Sequence, residues 1–349
     1  MNRISYQNLI NYSKNLLHCV GLDDFSLNAV ANSLCETSLR GVDSHGIRLL
    51  SHYVNSAVTG RKNPNPKFVF KNNFPSLGHL DADNAFGHAA GFKAIDKCVE
   101  MATQQGVGIV SVSNSSHPGA MASMALKAAR IGYLAFAFTN ADSLVQSFNG
   151  KRAYFGSNPI CMAAPREECD PYCLDMAPSV ISWNKVRMHK SADAPLPNGV
   201  AVDEIGLPTN DASLARALIP IGGYKGHGLA SMVEILCGVY SGMAFGRSIP
   251  SMFGAKMTEQ RKLAQFYIVL RTDGVLPKDV FIKAMQQMSD EVRTEPPFSD
   301  LPVMLPGDRE ILEAKSRLKN GIPLDHETVT ILKEMAKKYN VSFELMDDK

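Results

Sequence analysis

Apolar residues recur at helical spacing through the first sixty positions. Leu9, Ile10, Leu16, Leu17 and Val20 fall on one stripe, and Leu27, Val30, Ala31 and Leu34 on a second. Gly41 ends the second helix. The tract from Gly60 to Lys67, GRKNPNPK, is polar and proline-rich, so it reads as a break after an N-terminal helical unit. Beyond it the pattern changes. Short β-branched runs at 68–70 and onward to Leu80, at 107–112 and at 133–138 alternate with helical patterns at 85–105 and 120–130, the latter stopped by Gly106 and Gly132. Strands are also expected at 160–164, 172–174 and 262–271, and mostly loop at 178–208. Two helical patterns, 308–319 and 325–339, close the chain. This is α/β organisation of mixed character, a sheet covered by helices on both faces. Because both ends read as helical, residues 1–66 with 308–349 are expected to form one helical domain around an α/β domain at 67–307.

The chain's 349 residues suggest two domains, or one with an appendage. A formal net charge of +2, with no block of like charges, argues against a nucleic-acid partner. The polar N-terminus lacks the apolar core of an export signal, and the most apolar stretch, 228–246, carries Glu234 and several small residues, so it reads as a buried helix and not a membrane span. Seven scattered cysteines fit reduced thiols in the cytoplasm. Cys169 and Cys173 have no second ligand pair, so no metal site is expected.

Four clusters place polar groups beside glycines at element ends. In GVDSHGIR (41–48), His45 is suited to proton transfer near neutral pH, Asp43 is placed to orient it, and Arg48 offers a planar fork to a carboxylate. A capping turn through Asp43 or Ser44 explains the same residues. In SNSSHPG (113–119), His117 sits in a strand-to-helix loop, where ligands bind in α/β proteins. In GGYKGHG (222–228), glycines permit close backbone approach and Lys225 can meet a phosphate or carboxylate; a Lys225 Schiff base is the competing chemistry. GSNP (156–159) with LDMAPS (174–179) completes the set and carries no function on composition alone. GxGxxG, GxxxxGK[ST], GxSxG and HExxH are absent.

Taken in order, DSHG at 43–46, NSSHPGA at 114–120, FTNAD at 138–142, GSNP, LDMA and GGYKGHGL at 222–229 resemble the malate/L-lactate dehydrogenase family of type 2, which includes ureidoglycolate and sulfolactate dehydrogenases and diketogulonate reductase. The resemblance implies hydride transfer between NAD or NADP and a small 2-hydroxy or 2-oxo acid. It also implies a cofactor domain with a mixed, non-Rossmann sheet, and a homodimer. It gives His45 or His117 the proton transfer, beside Ser44 and Arg48. Asp175, Met176, Ala177, Tyr224 and Lys225 are placed along the dinucleotide, with Gly307 and Asp308 of a late turn and Asn140 of FTNAD. One departure concerns the substrate: many members carry an arginine four residues after the DSHG histidine, where this chain has Leu49, its arginine being Arg48 at plus three. On a helix that moves the guanidinium by roughly 100°. A catalytically silent relative that binds a nucleotide or acid, and a Lys225 Schiff-base lyase, are the alternatives.

Overall fold

Ser5 and Asp23 start the first two helices by accepting hydrogen bonds from the backbone N–H groups of Asn8 (3.1 Å) and Ser26 (2.7 Å). The computed structural model describes residues 2–167 and 170–346; Cys169, one of the thiols weighed for a metal, lies outside the described residues. A short strand β1 (Asn2–Ile4) precedes α1 (Tyr6–Cys19) and α2 (Asp24–Leu39), and α3 (Leu50–Val58) follows the DSHG turn. Then come β2 (Val69–Phe74), β3 (Leu77–Asp81), α4 (Gly87–Gln105), β4 (Val107–Ser115), α5 (Ala122–Arg130) and β5 (Tyr133–Thr139). Four short strands, β6 (Val145–Gln146), β7 (Ala153–Phe155), β8 (Ile160–Ala164) and β9 (Tyr172–Met176), lead to α6 (Trp183–Ser191), β10 (Ala201–Val202) and β11 (Ala217–Leu218). The chain ends with α7 (Tyr224–Glu234), β12 (Leu263–Arg271), α8 (Lys278–Arg293), α9 (Asp308–Asn320), β13 (Ile322–Leu324) and α10 (His326–Tyr339).

The main sheet runs β2-β3-β4-β12-β5-β8-β9 and is mixed, with β3 and β4 parallel and the other neighbours antiparallel. Its central strands obey the period of two that puts alternate side chains on opposite faces. Ala135, Ala137, Tyr267 and Val269 join the core beneath α4 and α5, while Phe136, Phe138, Ala264 and Phe266 point to the other face, where Val233 and Cys237 cover them. Both faces are thus buried, as the continuous apolar runs predict. A second sheet, β10-β11-β6-β7, packs with α6. Residues from both ends share one core: Leu9, Leu16, Val30, Leu34 and Tyr53 pack with Ile322, Leu324, Val329 and Leu332, and β1 pairs antiparallel with β13. Each fully buried aliphatic side chain there contributes about 1.5–3 kcal/mol.

Two helices lie outside the expected elements, and one expectation needs correction. Residues 178–208 are mostly loop, as expected, and α6 is the one helix within them; it buries only Val186, so no apolar stripe marks it in the sequence. Helix α8 lies on the surface, with Phe281, Met285, Met288 and Val292 at helical spacing and Ser289 its one buried residue. The apolar stretch at 228–246 is not a fully buried helix. After Glu234 it continues as a π-helical turn (235–239), and Leu229, Met232, Ile235, Val239 and Tyr240 stay exposed along one side.

Candidate active site

The two histidines singled out by motif come together. The DSHG segment forms a single 3₁₀ turn (Asp43–His45) after α2, and the His117 loop follows β4; their imidazole rings stack with centroids 5.7 Å apart and planes 28° from parallel. Each ring is held at Nδ1. Ser44 Oγ lies 2.9 Å from His45 Nδ1, and Tyr53 Oη on α3 lies 2.7 Å from His117 Nδ1. A partner at Nδ1 constrains the tautomer and angle of each ring. Burial lowers the pKa of both rings, and His117 is lowered further by the nearby charges of His45, Arg261, Lys62 and His88. Burial pushes the Tyr53 hydroxyl up, so it stays protonated.

Asp43 does not orient His45. Its carboxylate is bound by both terminal nitrogens of Arg317 (2.6 and 3.0 Å), which fastens α9 to the turn, and Ser44 takes the orienting role. Arg48 does not reach the histidines either: it lies at the surface beside Asp325 (3.6 Å) and Glu327 (3.9 Å), while Leu49 is buried in the helical core. The shift by one position therefore takes the arginine out of the site.

Behind the histidines lies a group of residues that the motifs did not mark. Lys62 Nζ sits 4.1 Å from the centroid of the Tyr53 ring, His88 packs edge-on against the same ring at 4.9 Å, and Arg261 is ion-paired with Asp142 of FTNAD. Their signal is weak because Lys62 belongs to a tract that reads as a polar break and Arg261 stands in the polar run Glu259–Lys262 before a strand. His52, the neighbour of Tyr53, is pushed down to about 3 by burial and by Lys62, Arg61 and Arg261.

The residues assigned to a cofactor fall into three groups. A cavity of about 310 Å³ is walled by Glu36, Arg40, Ala122, Cys173, Asp175, Gly307 and Glu310, so LDMA and the late turn meet there. Gly307 has φ of 95°, and a Cβ at that position would lie 3.1 Å from the Cys173 nitrogen, so the close approach requires glycine. Asp175 Oδ2 accepts from Ala122 N–H at 2.8 Å at the start of α5. Although Asp175 retains solvent contact, the protein around its carboxyl pushes it up to about 6, against the lowering by that N–H. Met176 ends β9, and Ala177 follows it. The Asp308 carboxylate is bound by Arg166 (3.2 Å) and Arg293 (2.8 and 2.9 Å) and is lowered to about 2, so it fastens the turn.

Tyr224 and Lys225 begin α7 and are exposed; they do not wall that cavity. The backbone joins them to LDMA nonetheless, since Ile221 N donates to Pro178 O at 3.1 Å and Val180 N to Ile219 O at 3.0 Å. Exposure deprives Lys225 of the desolvation that Schiff-base chemistry uses. Asn140 is buried with both ends of its amide engaged, Nδ2 donating to Ala244 O and Oδ1 accepting from Ala264 N. Asn158 of GSNP likewise ties Ala141, Ala230 and Glu234 together. These two motifs brace the sheet against α7. A broader, open depression of about 500 Å³ beside α8 contains none of the candidate residues.

The paired histidines, each held at Nδ1 and set in a mixed α/β fold, bring together groups chemically suited to proton transfer. Comparison with known proteins agrees in class: the model of the malate/L-lactate dehydrogenase family matches residues 4–333, and the chain belongs to that family. It is 31% identical to the ureidoglycolate dehydrogenase (NAD(+)) of Escherichia coli K12, over 98% of each chain, and 30% identical to the malate dehydrogenase of Pyrococcus abyssi, over 97% of this chain and 95% of that one. The crystal structure of malate dehydrogenase from Entamoeba histolytica superposes with a TM-score of 0.92 at 25% identity, covering 98% of this chain and 99% of the other.

Proposed function

We propose that the chain interconverts a small 2-hydroxy acid and its 2-oxo acid using NAD or NADP, with His45 and His117 at the reacting carbonyl oxygen. Membership of the family makes it an oxidoreductase. The observation that carries the finer reading is the stacked histidine pair, each ring anchored through Nδ1.

When bound, the nicotinamide supplies or accepts the hydride. The protein's own contribution is the proton. In the oxidative direction a neutral imidazole Nε2 accepts the hydroxyl proton, and burial, by lowering both pKa values, keeps the acceptor neutral at pH 7. In the reductive direction the same nitrogen must first be charged. Because a charge on His45 lowers His117, the two titrate as a pair that holds one proton more readily than two.

The residues present fit a dinucleotide. Asp175, Met176, Ala177 and Gly307 would line one part of it, Tyr224 and Lys225 another, and Lys225 would offset a negative group; Asn140 and Asp308 support their elements. Such a cofactor would lie on a mixed, non-Rossmann sheet. The shared core of the chain's two ends supports reading 1–66 with 308–349 as a helical domain and 67–307 as the cofactor and substrate domain. The exposed stripe Leu229, Met232, Ile235, Val239 and Tyr240 supports a homodimer formed through this face, since apolar surface of that extent marks an interface. Among the described residues no helix is long and apolar enough to cross a membrane. A cytoplasmic setting belongs to the same proposal and is supported by the free thiols.

The test is a panel of 2-oxo acids, including oxaloacetate, pyruvate and sulfopyruvate, followed at the NADH or NADPH absorbance. Oxidation of either cofactor with one member supports the reading; no turnover and no calorimetric binding of either cofactor refutes it.

A further inference from the structure

Three cations are sunk beside the histidine pair, and they differ in what neutralises them. Arg261 pairs with Asp142. Arg61 donates to the carbonyl oxygens of Met252 (2.8 Å), Ser251 (2.9 Å) and Glu259 (2.9 Å). Lys62 has neither: it is 2% exposed, and its Nζ has no hydrogen-bond partner among the described residues. Its nearest company is the faces of Tyr53, at 4.1 Å, and Phe86, at 5.1 Å. An amine enclosed by two π faces with no carboxylate beside it is held well below the ordinary lysine range by burial and by Arg261 and Arg61, and lacks the counter-charge that would keep it an ammonium.

The surroundings add to this excess of positive charge. The groups facing Lys62 are Arg61, Arg261, His52, His88 and Tyr53, and Asp142 is the carboxylate ion-paired within the cluster. Arg261 Nη1 and both ring nitrogens of His88 are buried and without hydrogen-bond partners among the described residues as well. Several donors therefore converge on one region, next to the tyrosine that holds His117. Meanwhile the arginine that the DSHG motif leads one to expect as carboxylate clamp has left for the surface.

We propose that Lys62 is a specificity-determining residue of this site, its ammonium receiving a carboxylate of the substrate beside Tyr53 and His117. The four-carbon stem lets Nζ turn from the Tyr53 face toward an arriving anion by bond rotation, which a guanidinium fixed by three carbonyls cannot do. The anion supplies the missing counter-charge. It also offsets the positive field on His117, so binding the acid prepares that ring to hold a proton. The ligand class is a small carboxylate or dicarboxylate; an uncharged ketone lacks the group that Lys62 recognises. The inference rests on the proposed function only in taking that anion to be the substrate.

The test is calorimetric titration of the full-length protein at pH 7 with oxalate, a non-reacting dicarboxylate, so that binding is read without turnover. Wild type should bind it, Lys62→Met should bind at least about tenfold more weakly, a loss of about 1.4 kcal/mol, and Lys62→Arg should recover most of the difference. NADH affinity, measured on the same samples, should be unchanged in all three. Should Lys62→Met not fold, Lys62→Gln replaces it with the same expectation. Equal oxalate affinity in wild type and the uncharged variant, or no binding by wild type, overturns the proposal. Oxalate binding that depends on Lys62 in a protein that neither binds nor oxidises NADH or NADPH would uphold the anion site and refute the dehydrogenase reading separately.

Discussion

Replacing Tyr53 with phenylalanine isolates the part that orientation plays at the histidine pair. The hydroxyl lies 2.7 Å from His117 Nδ1 in a buried setting. The phenylalanine ring keeps the contacts of Tyr53 with Lys62 and His88, so the change removes one oxygen and leaves the packing. A buried nitrogen left without its partner costs about 1–3 kcal/mol. Part of that appears as lost stability, a fall of a few degrees in Tm for a chain of this size. The larger consequence is chemical: with Nδ1 released, His117 no longer favours the tautomer and ring angle that present Nε2 correctly. If the same 1–3 kcal/mol is lost from the transition state, kcat/KM falls roughly fivefold to 150-fold. Steady-state NADH oxidation with a 2-oxo acid that wild type reduces, read beside a thermal melt, checks both numbers. A Tyr53→Phe enzyme with wild-type kcat/KM would refute the assignment of Tyr53 as the residue that positions His117.

Other expectations follow from the same geometry. His45→Ala and His117→Ala should each reduce turnover, the proton donor by about 10²–10⁴-fold, and wild-type kcat from both variants would place the chemistry elsewhere. Because both pKa values are lowered below 6.5, reduction should quicken as pH falls from 8 toward 6, while oxidation slows only on further acidification; pH profiles with the opposite slopes would contradict the neutral pair. His52, lowered to about 3, refuses protons that the unfolded chain accepts from pH 6.5 downward, so its contribution to stability is full above 6.5 and is lost as pH falls toward 3. Urea midpoints at pH 7.5 and 5 should therefore fall on acidification, and less steeply in His52→Gln. Arg48→Ala removes only part-exposed ion pairs and should cost under about 1 kcal/mol with KM for the acid unchanged; a KM rise of tenfold or more would return Arg48 to the site.

What the sequence disclosed of this site depended on whether a residue stands in a local pattern. His45 and His117 lie in small-residue turns beside an expected helix end and strand end, where composition draws attention. Tyr53 does not, because its partner is 64 positions away and its own helix offers it only as one more apolar residue. Arg61 and Lys62 misled for a physical reason: two cations in a polar, proline-rich tract are expected in water, yet the carbonyls of residues 251–259 and the Tyr53 face draw them inward. Strand periodicity disclosed β4, β5 and β12 singly, whereas the insertion of β12 between β4 and β5 depends on pairing across more than a hundred residues. Helix α6, with Val186 its one buried residue, lacks the stripe that makes a helix readable, whereas α8 carries Phe281, Met285, Met288 and Val292 at helical spacing and its pattern is legible in the sequence.

The central claim is that a hydride moves from nicotinamide to a 2-oxo carbon while a histidine of the pair supplies the proton. Incubating the protein with NADH or NADPH deuterated at C4 and the 2-oxo acid it consumes, then analysing the product by mass spectrometry, tests it directly. The account predicts a 2-hydroxy acid carrying one deuterium on C2 when the label occupies the transferred face, in a yield that collapses in His45→Ala or His117→Ala. A product without deuterium from either labelled face, or undiminished formation in both variants, would contradict it.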